Sequence, residues 1–196
     1  VEVPLWLKLA YSTFLILLIP AYFKQYGWAN FLWFSDIALF GTAAGLWLDL
    51  PLLVGSQAVA VSLLESLWIV DLFARLLTGR HPIGLTQYMF KPEIPLWIRG
   101  LSLFHLWLPV LMFWYLAGRG YDPMSLPLQT AVAWVVGTIC YCFTPPEENI
   151  NMVFGFGAKP QKRLRPGLFF VLWLLLVPAL VYLPTHLALN ALFGGQ

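Results

Sequence analysis

Charge is what this sequence has least of. Only 10% of its 196 residues are Asp, Glu, Lys or Arg, against about 25% in ordinary soluble domains. So few charges cannot solvate a soluble domain or grip nucleic-acid phosphates, and the chain is too apolar for a disordered tail. Cysteine is scarce as well. Cys140 and Cys142 cannot frame a disulfide-rich module, and two residues apart on a helix they face nearly opposite ways, so they cannot share a metal. Both are read as small apolar residues. Histidine stops at three, His81, His105 and His186, and no Cys/His zinc spacing exists.

What the chain has in excess is apolar length. It is 60% hydrophobic and 17% aromatic, with ten Trp and 15 Pro and a mean hydropathy of +0.77. Trp suits membrane interfaces, and Pro in apolar runs marks interrupted transmembrane helices. Six stretches approach the roughly 20 residues that cross a hydrocarbon core of about 30 Å: 4–23, 29–48, 52–77, 98–117, 126–143 and 167–189. Between them lie turn signals such as Tyr26-Gly27-Trp28, Asp49-Leu50-Pro51, Gly79-Arg80-His81-Pro82 and Thr144-Pro145-Pro146. The first stretch has neither a basic leader nor a small-residue cleavage site, so a retained helix is expected. With no repeat and no room for a soluble domain, residues 1–196 read as one all-α polytopic bundle of about six helices.

Basic residues orient that bundle. Lys24, Arg75, Arg80, Lys91, Arg99, Lys159, Lys162, Arg163 and Arg165 fall on one side of a six-span topology, and only Lys8 and Arg119 on the other. The positive-inside rule then places both termini outside and the loops 79–97 and 144–166 in the cytoplasm. A seventh or re-entrant segment within 79–97 would upset this parity. The same topology separates His186 from His81 and His105, which excludes a three-histidine zinc centre and a two-histidine haem; no metal site is expected.

Ionisable residues inside spans are the candidate site, because each is costly there unless paired or hydrated. Asp36, Asp71 and His105 are each expected roughly 9 Å below the cytoplasmic end of a helix at 1.5 Å per residue, with Glu65 deeper. Two readings are open: a polar chamber where carboxylate and imidazole share a proton or bind a cation, or an ion-pair network that fixes helix register. Asp71 and Arg75 have i,i+4 spacing, so a local salt bridge is the simpler account of both. Glu65 and His105 have no partner on their own helices, and Asn30 and Ser35 lie near enough to satisfy Asp36. Pro109 deprives the His105 carbonyl of its helical donor, which adds polarity to that turn.

Arg75, Arg99, Ser102, Asn149 and Asn151 complete the candidate set as substrate-binding groups. Glu147 and Glu148, beside Asn149 and Asn151, have ligands for Mg²⁺ but equally suit a helix start or loop. Gly155-Phe156-Gly157 lacks the rest of a dinucleotide fingerprint. Lys159, Lys162, Arg163 and Arg165 are expected to meet anionic lipid head groups. His81 reads as a loop residue and His186 as an interface residue.

The strings Asn30-Phe-Leu-Trp-Phe-Ser-Asp-Ile-Ala-Leu39, Arg99-Gly-Leu-Ser-Leu-Phe-His105, Pro146-Glu-Glu-Asn-Ile-Asn-Met-Val-Phe-Gly155 and Tyr182-Leu-Pro-Thr-His-Leu187 resemble those of a family of small bacterial polytopic membrane proteins. The resemblance implies a bacterial, cytoplasmic-membrane setting and carries no activity or cofactor with it. Three roles stay open: a membrane-embedded enzyme or binder for a lipid-like or isoprenoid-like molecule, an accessory subunit of a larger membrane assembly, and a small solute or proton transporter. Nucleic acid is not an expected partner.

Overall fold

The computed structural model describes residues 2–157 and 159–195, and among them every regular element is helical. In chain order these are α1 (Leu5–Tyr26), α2 (Phe34–Leu48), α3 (Pro51–Thr78), α4 (Leu96–Leu101), α5 (Phe104–Arg119), α6 (Ser125–Phe143), α7 (Pro166–Val177) and α8 (Leu183–Phe193). Five helical stretches are long and apolar enough to cross a membrane: α1, α3, α4 with α5, α6, and α7 with α8. The protein is a membrane-embedded helical bundle. Helix α3 is its axis, packed against α2, α5, α6 and α8. Large apolar side chains such as Ile16, Val110, Leu175 and Leu180 face outward, where lipid takes the place of a core.

Small residues set the closest approaches. A Cβ on Gly137 would lie 2.5 Å from the Trp173 ring, and one on Gly55 would lie 2.4 Å from Ser125 Oγ. Only glycine lets α6 meet α7, and α3 meet α6, at these distances. Gly137→Val is therefore expected to lower the stability of the purified protein by about 1–3 kcal/mol, read as a drop in thermal midpoint in detergent. An unchanged midpoint would mean that Trp173 has room to move aside.

Prolines interrupt the last span, and a neighbour repairs one break. Pro178 has no N–H for the carbonyl of Leu174, and the Trp134 indole on α6 donates to that oxygen at 2.9 Å. The chain continues through a π-helical turn at Pro178–Tyr182 before resuming as α8.

The spans differ from the sequence expectation in two places. The stretch 29–48 is not one helix: Trp28–Leu32 forms a 3-10 turn, and α2, at 15 residues, rises about 22 Å. Asp36 thus lies in the first turn of α2, not six residues inside a long span. The fourth span breaks between α4 and α5, before Pro109 is reached. There His105 N and Leu106 N bond back three residues, to Ser102 and Leu103 (3.3 and 3.0 Å).

The loops behave unlike their compositions. Segment 79–95 contains a 3-10 turn at Gln87–Phe90 and no further helix. The polar segment after α6 is the one that turns inward. Asn149, Ile150, Asn151, Val153 and Phe154 are buried, while Glu147 and Glu148 remain exposed. Left-handed φ values at Asn149 (43°), Asn151 (53°) and Met152 (61°) bend it tightly. Asparagine tolerates that region because its side chain bonds locally.

On the opposite end of the bundle, Arg119 pairs with Asp49 at 2.7 Å and Tyr115 donates to the same carboxylate at 3.0 Å. His186 is not a free interface residue. Its Nδ1 lies 2.7 Å from the Tyr121 hydroxyl, which burial pushes up to about 12, so the tyrosine stays protonated.

Candidate functional site

Glu65 and His105 meet across α3 and α5. Glu65 Oε2 lies 2.5 Å from His105 Nδ1, and Glu65 is only 3% exposed. The imidazole is held flat between two rings, with Phe104 at 4.2 Å and Trp68 at 4.6 Å between centroids, each inclined 28°. An imidazole hydrogen-bonded to a buried carboxylate has the geometry in which a proton can pass between the two. It is also a tie between two helices.

Asp36 stands close enough to Glu65 to feel its charge. The amide of Asn30 donates to Asp36 Oδ2 at 3.3 Å. Asp36 Oδ1 is buried and has no hydrogen-bond partner among the described residues. Tyr22 and Tyr26, one turn apart on α1, pack edge to face at 5.3 Å between centroids, and both lie near Asp36. The Tyr22 hydroxyl and Ser102 Oγ are 2.6 Å apart. Tyr88, from the 79–95 segment, sits beside Ser102 and Trp68 and near Glu65. Burial pushes its hydroxyl well above the usual tyrosine range, so it stays neutral there.

Arg99, in the last turn of α4, is within electrostatic reach of Tyr26. Its Nη1 donates to the Met89 carbonyl at 2.9 Å, and its buried Nε has no partner among the described residues. The Tyr26 hydroxyl and Trp68 Nε1 are likewise buried and unpartnered among the described residues. Four buried polar atoms, one each on α1, α2, α3 and α4, thus have no hydrogen-bond partner among the described residues. Buried polar groups are nearly always hydrogen-bonded; Thr42 Oγ1, Gln57 Oε1, Arg119 Nε, both polar atoms of the Gln129 side chain and the Tyr182 hydroxyl are further exceptions among the described residues.

The remaining candidates serve the scaffold. Asp71 does not pair with Arg75. Its carboxylate, fully buried, accepts from Ile83 N (2.9 Å), Gly84 N (3.0 Å), Thr86 N (2.8 Å) and Thr86 Oγ1 (2.6 Å). Arg75 instead bonds the Gly79 carbonyl at the end of α3 and lies over the Phe90 ring at 5.2 Å. Backbone N–H groups converging on one carboxylate satisfy it better than one flexible guanidinium does. His81 completes that knot, 3.1 Å from Thr86 Oγ1 and 3.5 Å from Asp71.

Asn149 and Asn151 are spent on backbone. Asn149 donates to Gly155 and Gly157 carbonyls and accepts from Phe154 N. Asn151 accepts from Phe34 N at 3.0 Å and donates to the Leu32 carbonyl at 2.7 Å, which pins the inward segment to the start of α2. No three His, Cys, Asp or Glu side chains come together as a metal-holding group among the described residues. Comparison with known protein families, curated proteins and solved structures gives no match.

Proposed function

We propose that the chain is a membrane-embedded enzyme or binding protein for a lipid-like or isoprenoid-like molecule, with Asp36, Glu65 and His105 as its acid–base groups. The supporting observations are the buried Glu65–His105 contact and the buried atoms Asp36 Oδ1, Tyr26 Oη, Trp68 Nε1 and Arg99 Nε on α1 to α4, which have no hydrogen-bond partner among the described residues. Arg99 and Ser102 serve as contacts for the polar head, and Glu65 shuttles a proton through His105. Asp71 and Arg75 hold the covering segment in place, and Asn149 and Asn151 hold the floor below α2. By the charge asymmetry of the loops, the site faces the cytoplasm of a bacterial inner membrane. The exposed Lys159, Lys162, Arg163 and Arg165 rest on anionic head groups.

Native mass spectrometry of the protein purified in mild detergent tests this reading. The wild type is expected to retain an amphiphile near one per chain, and Glu65→Gln to retain about tenfold less, the equivalent of 1.4 kcal/mol. Equal retention by both proteins would overturn the site. A stoichiometric co-purifying subunit in place of a retained small molecule would overturn it in favour of the accessory role.

A further inference from the structure

We propose that the groove between α1 and α5 holds one acyl chain of a membrane phospholipid, whose phosphate meets Lys8 and Arg119 at the groove's mouth. This site is separate from the Glu65–His105 cluster and independent of the function proposed for it.

Helix α1 and the fourth span are joined towards one end and parted towards the other. Near the basic end of α1, the Tyr22 hydroxyl and Ser102 Oγ lie 2.6 Å apart. Farther along, the Trp107 ring meets Tyr11 and Phe14 edge to face, each at 5.3 Å between centroids. Beyond that contact the helices leave a groove of about 700 Å³, walled by Trp6, Ala10 and Phe14 on α1 and by Trp107, Val110 and Trp114 on α5. Trp6, Ala10 and Val110 are exposed, so the groove opens towards lipid. Left empty, its walls would forfeit their dispersion contacts.

Depth selects the occupant. From Pro4 to Phe14 the groove follows ten residues of α1, about 15 Å at 1.5 Å per residue. That is half of a hydrocarbon core of about 30 Å. A helix from a second copy would cross the whole thickness and pack best against small residues. Here the groove stops halfway, and its walls carry three tryptophans. A single flexible chain reaching from one surface to the middle of the bilayer has the matching length.

The mouth supplies the head-group contact. Val3 and Lys8 line a polar cavity of about 200 Å³ with Glu2, Asp49 and Arg119, while Pro4 and Leu7 line the groove, so the two spaces adjoin. Asp49 is already met by Arg119 at 2.7 Å. Arg119 Nε is buried and has no partner among the described residues. The Lys8 ammonium lies 5.5 Å from the centre of the Trp47 ring, and no carboxylate is within ion-pair distance of it among the described residues. Glu2 is exposed. One unpaired cation and one free guanidinium N–H beside an apolar furrow complement a phosphate joined to a hydrocarbon tail.

The test uses full-length wild-type and Glu65→Gln proteins, each delipidated in a neutral detergent and mixed with phosphatidylglycerol or diacylglycerol of identical acyl chains. Lipid retention is read by native mass spectrometry. Both proteins are expected to keep one phosphatidylglycerol per chain, about tenfold better than diacylglycerol. Ala10→Phe and Val110→Phe, which fill the groove from either wall, are each expected to lower that retention about tenfold; using both walls keeps the test decisive if one variant does not fold. Lys8→Gln is expected to reduce phosphatidylglycerol to the level of diacylglycerol. Retention indifferent to both wall substitutions would overturn the groove as a site, as would a lipid lost only in Glu65→Gln, which belongs to the other cluster. Diacylglycerol held as well as phosphatidylglycerol would overturn the phosphate contact. A wild-type dimer split by the wall substitutions would overturn the lipid in favour of a second copy of the chain.

Discussion

Asp71→Ala is expected to open the segment between α3 and α4 to trypsin, with cleavage after the exposed Arg80 accelerated at least tenfold. The carboxylate is the centre around which residues 83–86 are wound, with three backbone N–H groups and one hydroxyl converging on its two oxygens. Removing it leaves those donors facing the void of an alanine, and each costs about 1–3 kcal/mol if it stays buried without an acceptor. A surface segment avoids that cost by releasing into water, so the expected effect is local opening and not loss of the bundle. Asp71→Asn keeps one carbonyl oxygen and is expected to fall between wild type and alanine. The consequence reaches the candidate site, because Tyr88 stands on the released segment beside Trp68 and Ser102. Retention of the amphiphile should therefore fall in parallel with protection from trypsin. Wild-type cleavage kinetics in Asp71→Ala would show that the segment is held by other contacts, such as Arg75 on Phe90.

The bundle itself was readable because apolar length and turn chemistry are local properties of the chain. What sequence spacing misread is instructive in each case. Asp71 and Arg75 have the spacing of a helical ion pair, but the partners that win are main-chain N–H groups, which have no signature in the sequence. Asp36 was placed too deep because an apolar run does not reveal that its first turn is 3-10 and that α2 starts only at Phe34. The polar run 144–157 reads as a surface loop, yet its asparagines are buried by the backbone groups they satisfy. Depth along the helices puts Asp36, Asp71 and His105 in one layer with Glu65 beneath, whereas the structure joins Glu65 to His105 and binds Asp71 into the 83–86 turn. Depth could not show that Glu65 and His105 touch, since they are 40 residues apart. Tyr22, Tyr26, Trp68 and Tyr88 were missed for a different reason. Aromatic residues in such a chain are assigned by default to the lipid interface, and the available signal, Tyr22 and Tyr26 one turn apart at the basic end of α1, says nothing of a carboxylate opposite.

His105→Leu is expected to be the most damaging single change, and its combination with Glu65→Leu the most informative. The single substitution strands a carboxylate that is 3% exposed without its imidazole partner, a situation that costs about 3–5 kcal/mol. In detergent this should appear as a large drop in thermal midpoint or as loss of monodisperse protein. The double substitution removes both polar partners and leaves two leucines of compatible volume between α3 and α5. Replacing a buried pair with apolar side chains is often neutral or stabilising, so the midpoint should return most of the way to wild type. The two roles of the pair then separate. If Glu65 and His105 only tie two helices together, the stable double variant keeps the bound amphiphile at the wild-type level. If they are the acid–base centre of a site, the double variant is folded and empty. We expect the second result, because Asp36 Oδ1, Tyr26 Oη, Trp68 Nε1 and Arg99 Nε, on α1 to α4, are buried with no hydrogen-bond partner among the described residues, which a tie between α3 and α5 alone does not require.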